Sequence, residues 1–425
     1  MNVLLIGNGG REAALAWRLA QSPQLARLLV TGENARWPEK AEVLPANDVS
    51  AWVRVARDGG VGLVVVGPEA PLEAGLADAL DEIGIPCFGP TRAAARLETS
   101  KSFAKEVMRA AGVPTADAIV VDPTTAEGRA AANARAALGA VVIKVDGLAA
   151  GKGVFVCPTA AEAQAALDEI GRFGSAAHRI LLESLLTGPE VSLFALCDGE
   201  RATPLVSAQD HKRLLDGDHG PNTGGMGAFV PSPHVDASRA EALCNQIHRP
   251  VLAEMRRRGM PFRGLLYAGV MLTPDGPRVL EFNARFGDPE TQPMMRLWAD
   301  DLLAWLHAAA IGALPEGSPK FSAGAACGVV LAAEGYPDAP KLGVILDEPA
   351  TPDPRAVCFF AGAKRAGPTE VVSAGGRILS CTATGATLGE ARASAYAAIS
   401  AWAAPHTQHR TDIGASAPAT TAHVP

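Results

Sequence analysis

Neither sign of charge dominates this chain. Its 425 residues carry 38 Lys and Arg against 45 Asp and Glu, a formal net charge of −7, and no basic stripe interleaved with aromatics. That balance argues against a nucleic-acid partner. No apolar run approaches the ~20 residues of a membrane span. The start, MNVLLIGNGG, lacks a positive leader and its apolar run stops at Gly7, so it reads as a first strand rather than a signal peptide. The seven cysteines are odd in number and form no C-x-x-C pair. Zinc is therefore not expected, and buried free thiols in a reducing cytoplasm are. None of the nine histidines pairs with another around a glutamate in the manner of a metalloprotease. What remains, 48% hydrophobic and 20% charged, is an ordinary globular composition, and the length asks for three or four domains.

The first quarter alternates strand, glycine turn and helix. Val3 to Ile6 runs into Gly7-Asn8-Gly9-Gly10-Arg11-Glu12 and a helix, Ala13 to Ala20; a strand follows at Arg27 to Val30. Leu63 to Val66 runs into Gly67-Pro68-Glu69-Ala70-Pro71-Leu72 and another helix. This is the pattern of a parallel sheet with crossover helices, whose ligands sit at the carboxyl ends of strands. A dinucleotide fingerprint would need a third glycine where Glu12 stands. The turn suits a smaller anion instead: helix-start N–H groups and Arg11 for a sugar phosphate, Glu12 and Glu69 for hydroxyls or an amine.

The stretch that organises the chain is VIKVDGLAAGKGVFV, Val142 to Val156. Lys144 ends an apolar run; Gly147, Gly151, Lys152 and Gly153 follow, and a second β-type run begins. Glycines let backbone N–H groups converge on one anion, and ammonium groups add charge. The spacing departs from the usual phosphate loop and a strand follows in place of a helix. The expectation is a glycine hairpin acting as a flap over a nucleotide. Upstream, Lys101 opens a helix against the dipole preference there, which suggests that it answers a ligand's negative charge. Downstream, Glu183-Ser184-Leu185-Leu186 leaves a strand toward Glu190. That arrangement suits a purine edge read by backbone groups, with Glu190 at the ribose hydroxyls.

Two further stretches resist a purely structural explanation. Asp210-His211-Lys212-Arg213 and Asn222-Thr223-Gly224-Gly225 lie in a polar, glycine-rich loop without hydrophobic period. They suit contacts to phosphate or substrate. In Val279-Leu280-Glu281-Phe282-Asn283, a strand puts Glu281 and Asn283 on one face. These are hard oxygen ligands suited to Mg²⁺. Arg285 shares their parity, a cation for a transferring phosphoryl or acyl phosphate.

Taken in order, GNGGRE, GPEAPL, IKVDGLAAGKGV, QDHKR, GPNTGGMGA and EFNARFGDPETQP resemble the phosphoribosylamine–glycine ligase family of the ATP-grasp superfamily, from Met1 to about Gly414. The resemblance implies an α/β protein with the ATP-grasp fold. A Rossmann-like parallel-sheet domain (1–98) would precede an ATP-grasp domain (99–322, with 115–190 as its mobile lid). A small C-terminal α/β cap (323–414) and a disordered tail (415–425) would follow.

It implies ligation of glycine to 5-phosphoribosylamine, driven by ATP, through glycyl phosphate, with Mg²⁺ or Mn²⁺. By similarity Lys101 and Lys144 meet the phosphates under the flap Gly147 to Gly153. Glu183 to Leu186 line the adenine slot, and Glu190 holds the ribose. Glu281 and Asn283 bind metal, Arg285 and Asp288 lie near the reacting glycine, and Gly9, Gly10, Arg11 and Glu12 hold phosphoribosylamine. A cytoplasmic monomer is expected, with neither membrane nor nucleic acid as partner. Ala13 stands where the family commonly has histidine, Leu185 replaces a usual aromatic, and the loop Thr31 to Arg36 departs from a PGN-type turn. Rival readings are another ATP-grasp ligase or carboxylase, a dinucleotide-dependent oxidoreductase, and a non-catalytic nucleotide-binding module.

Overall fold

The computed structural model describes residues 1–147, 153–349 and 353–415, with the side chains of 175 and 176 left aside. Its first sheet is five parallel strands in the order Ala41–Leu44, Arg27–Thr31, Asn2–Ile6, Leu63–Val66, Cys87–Phe88. Leu63–Val66 is buried throughout, as a parallel strand covered by helices on both faces must be. Strand order reverses at Asn2–Ile6 and Leu63–Val66, so the two glycine turns emerge side by side at the switch point. Gly7 has φ of 107°, and a Cβ there would meet Pro68 Cδ at 2.8 Å, so only glycine fits. The first helix begins at Gly10, ahead of the expected Ala13, because Glu12 Oε2 accepts the Gly9 N–H at 2.7 Å and closes the turn.

The middle of the chain builds two antiparallel sheets. One runs Ala202–Pro204, Glu190–Asp198, Arg263–Thr273, Gly276–Asn283. The other runs Ala118–Val121, Ile180–Ser184, Val141–Val145, Val154–Cys157 over its own small core. Val141–Val145 and Val154–Cys157 pair as the expected hairpin, closed by Val145 N–H to Gly153 O at 2.8 Å. Gly151 and Lys152 lie outside the described residues. Helix Lys101–Ala110 starts at a Ser100 cap. The segment that leads into this sheet is tied to the first of the two where Thr115 donates its hydroxyl to Val279 O at 2.6 Å.

The C-terminal sheet is larger than the expected cap. Gln209–Asp210 and Gly227–Val230 pair into it beside Ala325–Ala333, Arg377–Gly385 and Ala356–Phe360. The polar loop around 210–225 therefore hangs between the ATP-grasp part and the cap. Helix Leu388–Trp402, opened by a Thr387/Glu390 capping box, covers this sheet. One expectation fails here. Cys358 and Cys381 face each other across adjacent strands with Cα atoms 4.0 Å apart and form a disulfide. Their separation of 23 residues gave no sign of it. The other five cysteines are free, four of them buried. Among the described residues no helix is long and apolar enough to cross a membrane.

Candidate active site

A cleft of about 540 Å³ opens where the three parts meet. Lys101, Glu183, Glu281 and Asn283 line it from the middle, Arg11 and Glu69 from the first sheet's turns, and Tyr336 and Arg377 from the C-terminal part. Asn283 is on the strand expected, two residues beyond Glu281.

Arg285 is the hub. Its Nη2 lies 2.8 Å from Glu98 Oε1 and donates to Asn283 Oδ1 at 3.2 Å; Nε donates to Glu69 Oε2 at 3.2 Å and Nη1 to Phe286 O at 3.2 Å. These neighbours split the two acids. Burial would raise the Glu69 carboxyl, but Arg285, a backbone hydrogen bond and Arg11 together hold Glu69 below its ordinary range. For buried Glu98 desolvation wins over Arg285 and the pKa rises. Glu98 also accepts the Ala284 N–H at 2.7 Å, which fixes the turn that carries Arg285.

On one side of the cleft, Lys101 donates to Gly147 O at 3.0 Å, at the base of the glycine hairpin. Burial, helped by neighbouring Lys144, lowers its pKa against the pull of Glu281. Lys144 is buried just behind the wall. It donates to Leu280 O at 2.8 Å and pairs with Glu183 at 3.0 Å. The lysine thus converges on the strand that carries Glu281 and Asn283. Burial would raise Glu281, yet Lys212, Lys144, Lys101 and Arg285 together hold it ionised, below its ordinary range. An anionic carboxylate and an amide oxygen on one strand face fit a hard divalent ion that completes its shell with phosphate and water. Among the described residues no group of three or more His, Cys, Asp or Glu is close enough to hold a metal alone.

On the other side of the cleft, Asp288 accepts from Arg377 at 3.1 Å and from Gln292 at 2.7 Å. Arg377, with Arg11 behind it, keeps the Asp288 carboxyl low against the effect of burial. Arg377 also donates to Gly224 O at 2.6 Å and Asp288 O at 3.0 Å. Tyr336 accepts the Gly224 N–H at 2.9 Å. Lys212 hydrogen-bonds Glu190 and lies 3.7 Å from Glu281. Burial, and the acids Glu290, Glu190 and Glu281, push Asp210 up to about 8 against Lys212. Asn222 and Gly224 line the same region, as does Gly153 at the far side of the flap.

Several expected residues are not brought to the cleft. His211 is buried on the opposite face. It packs on Phe229, accepts the Gly414 N–H at 3.4 Å and lies 3.8 Å from Asp218. Arg213 turns to Gly220 O. The cause is strand alternation: Asp210 and Lys212 share one face, His211 and Arg213 the other. Leu185 and Leu186 stay out of the lining, and the Leu185 N–H is committed to Ala140 O at 3.0 Å. Glu190 is engaged by Lys212. Glu12 is occupied by Gly9 and by Arg11 at 2.6 Å, so it shapes the turn rather than facing a substrate. Gly9, Gly10 and Gly225 act as backbone; a Cβ on Gly225 would fall 2.3 Å from Pro289 Cδ.

Sequence reasoning missed Glu98, Lys105, Glu290, Tyr336 and Arg377. Only Lys105 carried a legible signal, its spacing of one helical turn from Lys101.

The chain is similar to known proteins over most of its length. Residues 1–98, 99–291 and 326–416 match, in turn, the N, ATP-grasp (A) and C domains of phosphoribosylglycinamide synthetase. The phosphoribosylamine–glycine ligase of Streptomyces coelicolor is 49% identical over 98% of this chain and 99% of its own. That of Caulobacter vibrioides is 46% identical over 97% and 98%. The crystal structure of the Thermotoga maritima phosphoribosylamine–glycine ligase superposes with a TM-score of 0.84 at 31% identity, covering 97% of this chain and 100% of that one. The biotin carboxylase domain of Hydrogenobacter thermophilus 2-oxoglutarate carboxylase shares the fold alone, with a TM-score of 0.71 at 18% identity over 96% and 91%.

Proposed function

The chain belongs to the phosphoribosylamine–glycine ligase family, and from that premise we propose how its residues divide the reaction. ATP, glycine and 5-phosphoribosylamine give glycinamide ribonucleotide, ADP and phosphate, a step of purine synthesis. A glycine carboxylate oxygen attacks the γ-phosphorus, and the bond to the ADP oxygen breaks. The amine nitrogen of phosphoribosylamine, which must be unprotonated, then attacks the carbonyl carbon of glycyl phosphate and expels phosphate. No side chain need act as nucleophile. The protein's contribution is position and charge.

Lys101 and Lys144 are proposed for the phosphates, beneath the flap that includes Gly147 and Gly153. The Glu183 carboxylate is committed to Lys105 and Lys144, so the backbone from Ser184 to Leu186 is proposed for the base, and Glu190 for the ribose once Lys212 yields it. Glu281 and Asn283 would hold Mg²⁺, which when bound neutralises phosphate charge and polarises the transferring group. Arg285 is proposed for the acyl phosphate and Asp288 for the glycine ammonium. Arg11, Glu69, Asp210, Lys212, Asn222 and Gly224 would surround phosphoribosylamine. The phosphorylated substrates do not cross membranes unaided, which supports a cytoplasmic enzyme.

One observation carries this reading: cations and hard oxygens for a triphosphate share a single cleft with Arg11, Glu69 and Asp288. The test is phosphate release from ATP. Release should require glycine and phosphoribosylamine together. Release driven by bicarbonate would point to a carboxylase, and ATP binding without turnover to a binding module.

A further inference from the structure

Lys105 stands one turn beyond Lys101 in helix Lys101–Ala110, on the same face. Its ammonium sits at the cleft floor with three acceptors: Thr115 Oγ1 at 2.7 Å, Ala116 O at 3.0 Å and Glu183 Oε1 at 3.2 Å. An ammonium has three hydrogens, so these partners occupy it fully. The other oxygen of Glu183 lies 3.0 Å from Lys144 Nζ. Lys144 donates one hydrogen to Leu280 O at 2.8 Å, and its contact with Glu183 is an ion pair. One carboxylate is thus divided between two ammonium groups, and all three side chains are no more than 7% exposed.

Burial decides what that division does. Screening by water is weak here, so the attraction between Glu183 and Lys144 is strong. Were Glu183 to face Lys144 alone, its full negative charge would fall on the lysine, and a polyphosphate would have to compete with it. Lys105 takes half of that charge. Burial lowers the Lys105 pKa, and Glu183 raises it again, as expected of an ammonium kept buried by its carboxylate partner. Thr115 passes the contact on to Val279 O, which anchors Lys105 to the sheet that carries Glu281.

We propose that Lys105 is a positioning residue for ATP: by holding one oxygen of Glu183 it leaves the charge of Lys144 available to the triphosphate. The inference rests on the phosphate role of Lys144. ATP dissociation constants are to be measured by calorimetry in excess Mg²⁺ on the full chain, for Lys144→Ala, Lys105→Met, Glu183→Gln and the double variant Lys105→Met/Glu183→Gln.

Lys105→Met should weaken ATP about tenfold, the scale of one hydrogen bond to a charged group. The double variant should return to within about threefold of wild type, because the anion that captures Lys144 is gone. A Lys105 that merely supports the fold would lower the melting temperature and show no such rescue. Wild-type affinity in Lys105→Met, or a double variant as weak as the single, overturns the proposal. Should Lys105→Met fail to fold, Glu183→Gln carries the test: affinity at least equal to wild type supports it, and a tenfold loss overturns it. Unchanged affinity in Lys144→Ala removes the underlying phosphate role, and the inference with it.

Discussion

Arg285 offers the sharpest test of the reaction scheme. A guanidinium has five N–H donors. Three are donated to Glu69, Phe286 O and Asn283, and Glu98 pairs with Nη2, which among the described residues leaves an Nη1 hydrogen for a substrate. Removing a single preorganised donor from a developing oxyanion costs about 10²- to 10³-fold in kcat, or about 3–4 kcal/mol. Arg285→Met alone would confound this, since it strands the buried Glu98 carboxylate at a cost of about 3 kcal/mol in stability, limited by protonation of the acid. The double variant Arg285→Met/Glu98→Gln removes that charge while keeping an acceptor for the Ala284 N–H. Phosphate release is to be followed with ATP and phosphoribosylamine saturating and glycine varied, and ATP affinity measured separately. Turnover should fall about 10²-fold or more, with ATP affinity within about threefold of wild type. A folded double variant that keeps kcat within about threefold would refute the assignment.

Further outcomes follow from the same geometry. Glu281→Gln should cripple turnover more than it weakens ATP binding in excess Mg²⁺; turnover at the wild-type level would remove the metal assignment. Gly225→Ala combines a φ of 104° with a Cβ 2.3 Å from Pro289, so substrate affinity should drop and the melting temperature with it, and an unperturbed variant would show that this loop yields freely. Arg410, buried and paired with Asp218 and Asp412, clamps the hairpin that leads to Asn222. Arg410→Met should cost about 1–2 kcal/mol in urea unfolding, since water screens the aspartates it leaves unpaired. Its pH dependence has a definite sign. The His211 contact and then Arg410 depress Asp218 to about 2. Wild type therefore keeps that contribution above about pH 4 and loses it as pH falls toward about 2, so the gap to the variant should close over that window. A gap independent of pH would contradict the pairing.

What the sequence disclosed is what local period encodes. Glu281, Asn283 and Arg285 were found because alternation in a strand is visible in the chain itself. The same rule, applied to Gln209–Arg213, would have separated Asp210 and Lys212 from His211 and Arg213; the contiguous motif hid the alternation. Contacts between distant segments left no such trace. Glu98 ends an amphipathic helix like any surface acid, and its partner Ala284 is 186 residues away. Arg377 follows two glycines and reads as part of a turn. The Cys358–Cys381 bridge depends on strand register, which composition does not specify.

The guanidinium of Arg377 reaches back to the carbonyls of Gly224 and Asp288. During synthesis that side chain leaves the ribosome after the strands that carry Lys144, Glu281 and Asn283. The nucleotide-handling strands can therefore assemble while the wall opposite them is still missing. A nascent or truncated chain ending before residue 377 would bind nucleotide in a vessel open on one side, and the labile acyl phosphate would meet water before it met an amine.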